Sequence, residues 1–505
     1  MVERSGETAL HIRVCDEWRS EQAKARISSL LKVNLYRIHT INFICRDDGD
    51  LWSFRHVMAG NPAPLLEGIV ADFRTHALNC GSPFTGSLDQ IMPVAPNLRI
   101  LAVESMIVEA TWRRLPSCLT KLKIEADRIH GVQTAFLGGI LSMLERVPSL
   151  QDLELVDCGS IGGDSLLSLR VVPLSSLRYL RLSIVNAHRL TQLLSRLSIP
   201  STVTMKIHTE YTVLNEDLAT IIGTRIAFTN TALAAHFDFG LGEFAKESVS
   251  MRFWEENHEV PWTSFERHYR KKPARLDITI DKVPTKSRSH RLDSLWRFSR
   301  ALPIDCVENA VFTNFPRFGR GPLILSFMSS MPNIRVLNID GPYRENLVLM
   351  EGSQDFDVGS QSSSDSVILS HSQPMTSPSK IFPQLERVAF DLTSSNKRWV
   401  AGSEEANEFV RDLGHLLRTR QDGGSGVKEV WFHGTGGSGL DLFYVARAPG
   451  FDDITRLTKC SYLDAFTDRL EGWPEEDDPV EVCGIPVVTC QIGDSGISLH
   501  TFAKP

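Results

Sequence analysis

Leu119-Thr-Lys-Leu122-Lys-Ile124, Leu150-Gln-Asp-Leu153-Glu-Leu155 and Leu177-Arg-Tyr-Leu180-Arg-Leu182 repeat one pattern, an aliphatic residue followed by xxLxL. Further copies are Leu98-Arg-Ile-Leu101-Ala-Val103, Ile334-Arg-Val-Leu337-Asn-Ile339, Leu385-Glu-Arg-Val388-Ala-Phe390 and Val427-Lys-Glu-Val430-Trp-Phe432. Weaker ones begin at Ile38, Leu66, Thr202, Arg275 and Val307, and a proline often stands just ahead. The alternation within each copy is that of a short strand with one apolar face.

Between copies the apolar period lengthens to that of a helix. Leu190, Leu193, Leu194 and Leu197 fall at i, i+3, i+4 and i+7. Phe136, Ile140, Leu141 and Leu144 do the same, as do Phe409, Val410, Leu413, Leu416 and Leu417 after an N-cap at Ser403. Glu404 and Glu405 open that helix and Arg418 and Arg420 close it, matching its dipole. Ser20 followed by Ala23, Ile27, Leu30 and Leu31 predicts another. Starting positions 119, 150, 177 and 202 step by 31, 27 and 25, close to a leucine-rich repeat but irregular. The fold class expected is α/β: a leucine-rich-repeat-like solenoid, a curved parallel sheet with outer helices, in which no unit buries its apolar face alone.

Most of the chain belongs to this array. Residues 1–351 form its main part, with a degenerate region at about 214–273 where 233–239 and 248–254 read as strands of a distorted repeat or as a separate hairpin. Residues 352–380 carry ten serines, two prolines and Phe356 as their one aromatic, and are expected to be a disordered insertion. The array continues over 381–470, and 471–505 holds the acidic Pro474-Glu-Glu-Asp-Asp-Pro479 and a terminal strand near 485–490.

The composition is that of a soluble chain. Of 505 residues, 42% are hydrophobic and 23% charged, and the net charge of -7 offers no global positive field for nucleic acid or anionic lipid. The longest largely apolar stretch, Ala135 to Leu144, is too short to span a bilayer. Nine cysteines lie scattered without disulfide or zinc spacing and read as reduced thiols of a cytoplasmic or nuclear protein. No nucleic-acid or membrane partner is expected.

The proline-headed strands, with the opening Glu3-Arg-Ser-Gly-Glu-Thr-Ala-Leu-His-Ile-Arg-Val14, resemble the fungal F-box leucine-rich-repeat-like proteins. Members typically begin with an F-box, a helical module with an LPxEL-type start that docks the adaptor of a cullin-RING ubiquitin ligase. That module is absent from these residues, and the segment at Glu3 resembles the stretch downstream of the F-box in such chains. The resemblance implies a recognition array selecting proteins for ubiquitination, with adaptor docking only through an F-box upstream of Met1.

In such strands the leucines point inward, so the third and fifth motif residues face the concave surface. These are Lys121 and Lys123, Asp152 and Glu154, Tyr179 and Arg181, then Thr204 and Lys206. Strands about 4.8 Å apart set basic beside acidic pairs. One reading is a charge ladder that holds register; the other is a charged partner surface with Tyr179 and Trp431 as aromatic anchors.

Chemistry has one foothold in the sequence. His433-Gly-Thr-Gly-Gly-Ser-Gly439 fits G-x-G-x-x-G through Gly434, Gly436 and Gly439, and resembles an HGGG-type oxyanion loop. Its surroundings match neither, since Gly493-Asp-Ser-Gly496 lacks the spacing of a nucleophile elbow. A nucleotide- or substrate-binding enzyme using loop 434–439 is therefore the alternative to a non-enzymatic interaction scaffold. Cys483 and Cys490 have no partner pair for zinc, His258-Glu259 lacks a second histidine, and no P-loop occurs, so no cofactor, metal or catalytic residue is assigned. Two basic runs, Arg267 to Lys272 with Arg275 and Lys286 to Arg291, read as solvated loops or an acidic-partner patch. Ser362 with Asp365, and Ser377-Pro378, suit acidophilic and proline-directed kinases.

Overall fold

The computed structural model describes residues 9–14, 21–44, 55–72, 84–86, 92–104, 106–108, 115–126, 137–158, 170–210, 215–226, 228, 233–238, 248–255, 274–281, 298–302, 304–313, 322–340, 347, 381–391, 404–434, 450–464, 488–493 and 496–501. The chain gathers into two compact units, 1–227 with 475–505, and 228–474. The insertion at 352–380, the acidic segment 474–479 and the basic runs 267–272 and 286–291 lie outside the described residues.

The first unit has strands β1 (Leu10–Val14), β2 (Ile38–Ile44), β3 (Gly68–Asp72), β4 (Phe84–Gly86), β5 (Ile100–Glu104), β6 (Met106–Val108), β7 (Lys121–Glu125), β8 (Asp152–Val156), β9 (Val172–Pro173), β10 (Tyr179–Ser183), β11 (Leu197–Ser198) and β12 (Thr204–Glu210). Its helices are α1 (Glu21–Asn34), α2 (Leu137–Leu144), α3 (Ala187–Arg196) and α4 (Asn215–Arg225), the first three at sequence positions where the helical period occurs. The main sheet runs β1-β2-β3-β5-β7-β8-β10-β12, every neighbour parallel and in chain order. β4 pairs with β6, and β9 with β11, as short accessory ribbons.

In five copies the proline ahead of the strand sits in a turn. In Ala63-Pro64-Leu65-Leu66, Ala95-Pro96-Asn97-Leu98, Val147-Pro148-Ser149-Leu150, Met331-Pro332-Asn333-Ile334 and Phe382-Pro383-Gln384-Leu385 the last N–H donates to the first carbonyl at 3.1, 3.2, 3.1, 3.4 and 3.1 Å. Proline's fixed φ suits the second position of such a β-turn, and its missing N–H is not needed there. The next residue then sets register. Glu67 O accepts from the N–H groups of Arg99 and Ile100 (2.8 and 2.9 Å), Arg99 O from Thr120 and Lys121 (2.8 and 2.9 Å), and Thr120 O from Gln151 and Asp152 (2.7 and 2.9 Å). Each strand thus starts from a carbonyl of the one before, and Leu101, Leu122, Leu153 and Leu180 align on the buried face at no more than 1% exposure. Leu190, Leu193 and Leu194 of α3 are buried as well.

Cys158 has a structural place in this scheme. It occupies the ninth position of the Leu150 copy, where leucine-rich repeats carry Asn or Cys. The thiol donates to the carbonyls of Val156 (3.3 Å) and Ile124 (3.7 Å), tying two strand ends, while Asp157 takes a left-handed φ of 57°. Burial, with the Asp157 charge adding to it, pushes the thiol up to about 12, so it stays protonated and unreactive.

The second unit contains β13 (Leu233–Asp238), β14 (Val249–Trp254), β15 (Leu276–Asp281), β16 (Val307–Thr313), β17 (Val336–Asp340), β18 (Arg387–Asp391), β19 (Glu429–Gly434) and β20 (Lys459–Asp464), with helices α5 (Pro322–Ser329), α6 (Glu404–Asp422) and α7 (Phe451–Leu457). From β13 through β16, β17, β18 and β19 to β20 the pairing is parallel. β14 and β15 depart from this: β13 pairs antiparallel with β14, and β14 with β15. The degenerate region is an antiparallel excursion after which β16 returns to β13. Alternation alone, as in Val249, Met251 and Phe253, does not set strand direction; the proline turn and leading aliphatic residue mark parallel copies elsewhere.

Phenylalanine fills this core. Phe237 meets Phe312 at 5.4 Å and stands edge-on to Phe327 of α5 at 5.3 Å, and Phe390 is edge-on to Phe409 of α6 at 5.2 Å. Such edge-to-face pairs lock each helix to a strand. Arg420, in the last turn of α6 where the dipole favours a base, is 4% exposed and donates to the carbonyls of Ile381 and Phe382, anchoring the turn before β18. At the end of the chain, β21 (Val488–Gly493) pairs parallel with β1 and antiparallel with β22 (Gly496–Thr501).

Because the core is shared between repeats, Leu153→Ala is expected to cost about 2–5 kcal/mol, against under about 0.5 kcal/mol for Lys121→Ala on the same sheet. Urea unfolding of both variants checks this, and equal costs would contradict an inward leucine row.

Candidate interaction surface

The third and fifth motif residues of the first unit form two in-register rows on the sheet face opposite the leucines. Along one row stand His11, Thr40, Gly68, Ile100, Lys121, Asp152, Tyr179 and Thr204. Along the other stand Arg13, Asn42, Val70, Ala102, Lys123, Glu154, Arg181 and Lys206. Seven of the eight residues singled out in the sequence lie here, on β7, β8, β10 and β12.

Their charges pair across strands. Lys121 Nζ is 3.0 Å from Asp152 Oδ2, and Arg181 Nη1 donates to Glu154 Oε2 at 3.2 Å. Lys123 donates to Glu104 and lies 3.3 Å from Glu125 Oε2. Burial draws the Lys123 ammonium down, but those two carboxylates more than offset it and its pKa is raised. Asp72, Glu104 and Glu125 stand side by side along the C-terminal strand ends, with Lys123 between two of them. The ladder nevertheless remains open to solvent, the Lys121 side chain being 58% exposed.

Trp431 lies in the second unit and differs in kind. Its indole donates to Glu429 Oε2 at 3.1 Å, and the Arg387 guanidinium sits 4.5 Å over its ring while donating to the same Glu429 oxygen at 2.8 Å. It packs against a buried cluster of Ala234, Trp254, Val311 and Ala389. This aromatic is committed to its own unit. Nearby, Glu386 accepts from Lys428 (2.9 Å) and Arg335 (3.0 Å), and all three line a shallow cleft with Arg387 and Glu429. The Lys428 hydrogen bond, opposed by burial and aided by Arg335, holds the Glu386 carboxyl low.

No protein-family model matches the chain, and no curated protein matches it. Among solved structures, the leucine-rich repeat-containing protein LegL7 from Legionella pneumophila matches over 81% of this chain and 93% of its own, at 11% identity and a TM-score of 0.27. The architecture assigned to this chain rests on its own strand pairings.

The remaining sequence candidates fare differently. Gly434 ends β19, while 435–439 lie outside the described residues, as do His258, Glu259, Ser362, Ser377 and Cys483; Cys490 lies in β21. Arg275 is not part of a free basic run: its side chain is 12% exposed and its Nε lies 3.4 Å from Glu255 Oε1. Burial lowers its pKa against the pull of Glu255. Among the described residues no group of three His, Cys, Asp or Glu is placed to hold a metal ion, and no helix is long and apolar enough to cross a membrane.

Sequence reasoning passed over the β3–β5 half of this face, where Gly68, Val70, Ile100 and Ala102 replace charges. The signal was present as apolar third and fifth residues in two successive copies. It also passed over three imidazole–hydroxyl pairs between neighbouring strands: His11 Nδ1 with Thr40 Oγ1 (2.7 Å), His208 Nδ1 with Ser183 Oγ (2.8 Å) and His236 Nε2 with Thr313 Oγ1 (2.8 Å).

The cross-strand pairs are exposed enough that a double-mutant cycle on Arg181 and Glu154 is expected to give a coupling of about 0.2–1 kcal/mol, falling with added salt. Burial lowers the His11 pKa, His39 adds to this, and Glu67 opposes it. The unfolded chain therefore takes up that proton first. Stability held above about pH 6.5 drains away as pH falls through 6.5 toward the lower folded value. Thermal melts between about pH 7.5 and 5 are expected to show this loss, and His11→Gln to shrink it.

Proposed function

We propose that the chain is a non-enzymatic protein-interaction scaffold whose partner surface is the exposed sheet face of the first unit, with Lys121, Lys123, Asp152, Glu154, Tyr179, Arg181 and Lys206 as contact residues. One observation carries the reading: in-register parallel strands present two continuous rows of outward side chains while the leucines and helices supply the core. A row that supports no packing is free to vary with a partner, and parallel-strand solenoids use this face for binding. Cross-strand ion pairs fit it as well, since they hold the charges in fixed positions before a partner arrives, which lowers the ordering cost of association.

The resemblance to F-box leucine-rich-repeat-like proteins extends this to selecting proteins for ubiquitination. That extension rests on the resemblance alone. Lys121→Glu combined with Arg181→Glu reverses two charges without touching the core. Affinity purification of this variant beside the wild type is expected to lose the wild type's copurifying partner, and undiminished recovery would refute the surface.

A further inference from the structure

We infer that the β3–β5 half of this face takes an extended segment of a partner protein, with one apolar side chain flanked by carboxylates three residues away on each side. The inference rests on the sheet-face reading above and adds the chemistry of the partner. Gly68, Val70, Ile100 and Ala102 make the first two outward positions of two adjacent strands apolar, whereas the corresponding positions of β7 and β8 are all charged. Ile100 is 36% exposed, with Val70 and Ala102 half-buried beside it. Gly68 is itself buried, with Thr40 Cγ2 3.2 Å and Ile100 Cβ 3.8 Å from where its Cβ would lie, so no side chain rises between Thr40 and Ile100. An apolar side chain seated over Gly68 covers this strip.

Cations bound the strip on both sides. Arg13, exposed on β1, lies two strands to one side of Val70 in its row, and Lys121 on β7 lies two strands to the other side of Gly68 in the adjacent row, so a segment joining them crosses β3 on a slant. An ammonium has three donors, and Asp152 takes one from Lys121. Asp72 and Glu104 close the strip at its C-terminal end, so acids on a bound segment must run across the strands rather than along them. Two inter-strand steps span about 9.6 Å. Polyproline II, with three residues per turn and about 3.1 Å per residue, puts residues i-3, i and i+3 on one face over nearly the same interval. The pattern that fits is acid-x-x-apolar-x-x-acid.

The test uses the full-length chain, immobilised, to select from a phage-displayed library of random dodecapeptides in low salt. Enrichment of that spacing is expected. A synthetic peptide bearing it should lose at least fivefold in affinity by fluorescence anisotropy with Ile100→Ser, and at least threefold with Arg13→Gln or Lys121→Gln. Ile100 is surface-exposed, so the variant should melt with the wild type; if it does not, Val70→Ser carries the same test. Enriched peptides without the pattern, or affinity unmoved by Ile100→Ser and Val70→Ser, overturn the apolar anchor. If such pattern-free peptides are lost with Lys121→Glu and Arg181→Glu, the charged sheet face survives alone. No enrichment at all removes both readings.

Discussion

The structure depends on one hydrogen-bonding device, the carbonyl of the second motif residue, which accepts two N–H groups from the start of the following copy. Glu67, Arg99, Thr120 and Gln151 provide it in the first unit, and Arg335 and Glu386 in the second. A one-residue slip in a strand would turn every side chain to the other face. Fixing the first hydrogen bond of each strand therefore fixes which residues are core and which are surface. The proline turn supplies the approach angle, and the leading aliphatic residue, with Leu98, Leu119 and Leu150 wholly buried, pins it from below.

From this constraint the two units take different courses. In the first, the outward rows carry charges whose pairs stay in solvent, a nearly neutral arrangement at the surface that defines positions more than it stabilises. In the second, the equivalent positions hold Val311, Asn338 and Ala389, exposed by only 2%, 4% and 2%, and Trp431 is drawn into that cluster. Repeats of one pattern thus build an open charged face in one unit, whereas in the other the fifth motif positions form a buried row. Binding is proposed at the open face on that ground.

The copies with both a proline turn and three aliphatic positions were legible without coordinates, and their cross-strand neighbours came from register alone. Lys121 beside Asp152 and Arg181 beside Glu154 are direct consequences of strands stepping in chain order. Cys158 stood at a readable place too, the ninth motif position, though its spacing from other cysteines conceals it. The antiparallel excursion of β14 and β15 was not legible, because period-two alternation is the same in both directions. Nor was the burial of Arg420 and Arg275, since a guanidinium's place depends on which carbonyls or carboxylates come near from segments outside its own local pattern.

By itself, the sequence determined that short strands with one leucine face alternate with amphipathic helices and stack in parallel, because those periods leave each copy with an apolar face that only its neighbours can cover. Only the tertiary structure decided which outward residues meet solvent. Exposure of Ile100 and burial of Ala389 arise at the same motif face, and the difference lies in what the rest of the chain packs around them, which no local pattern encodes.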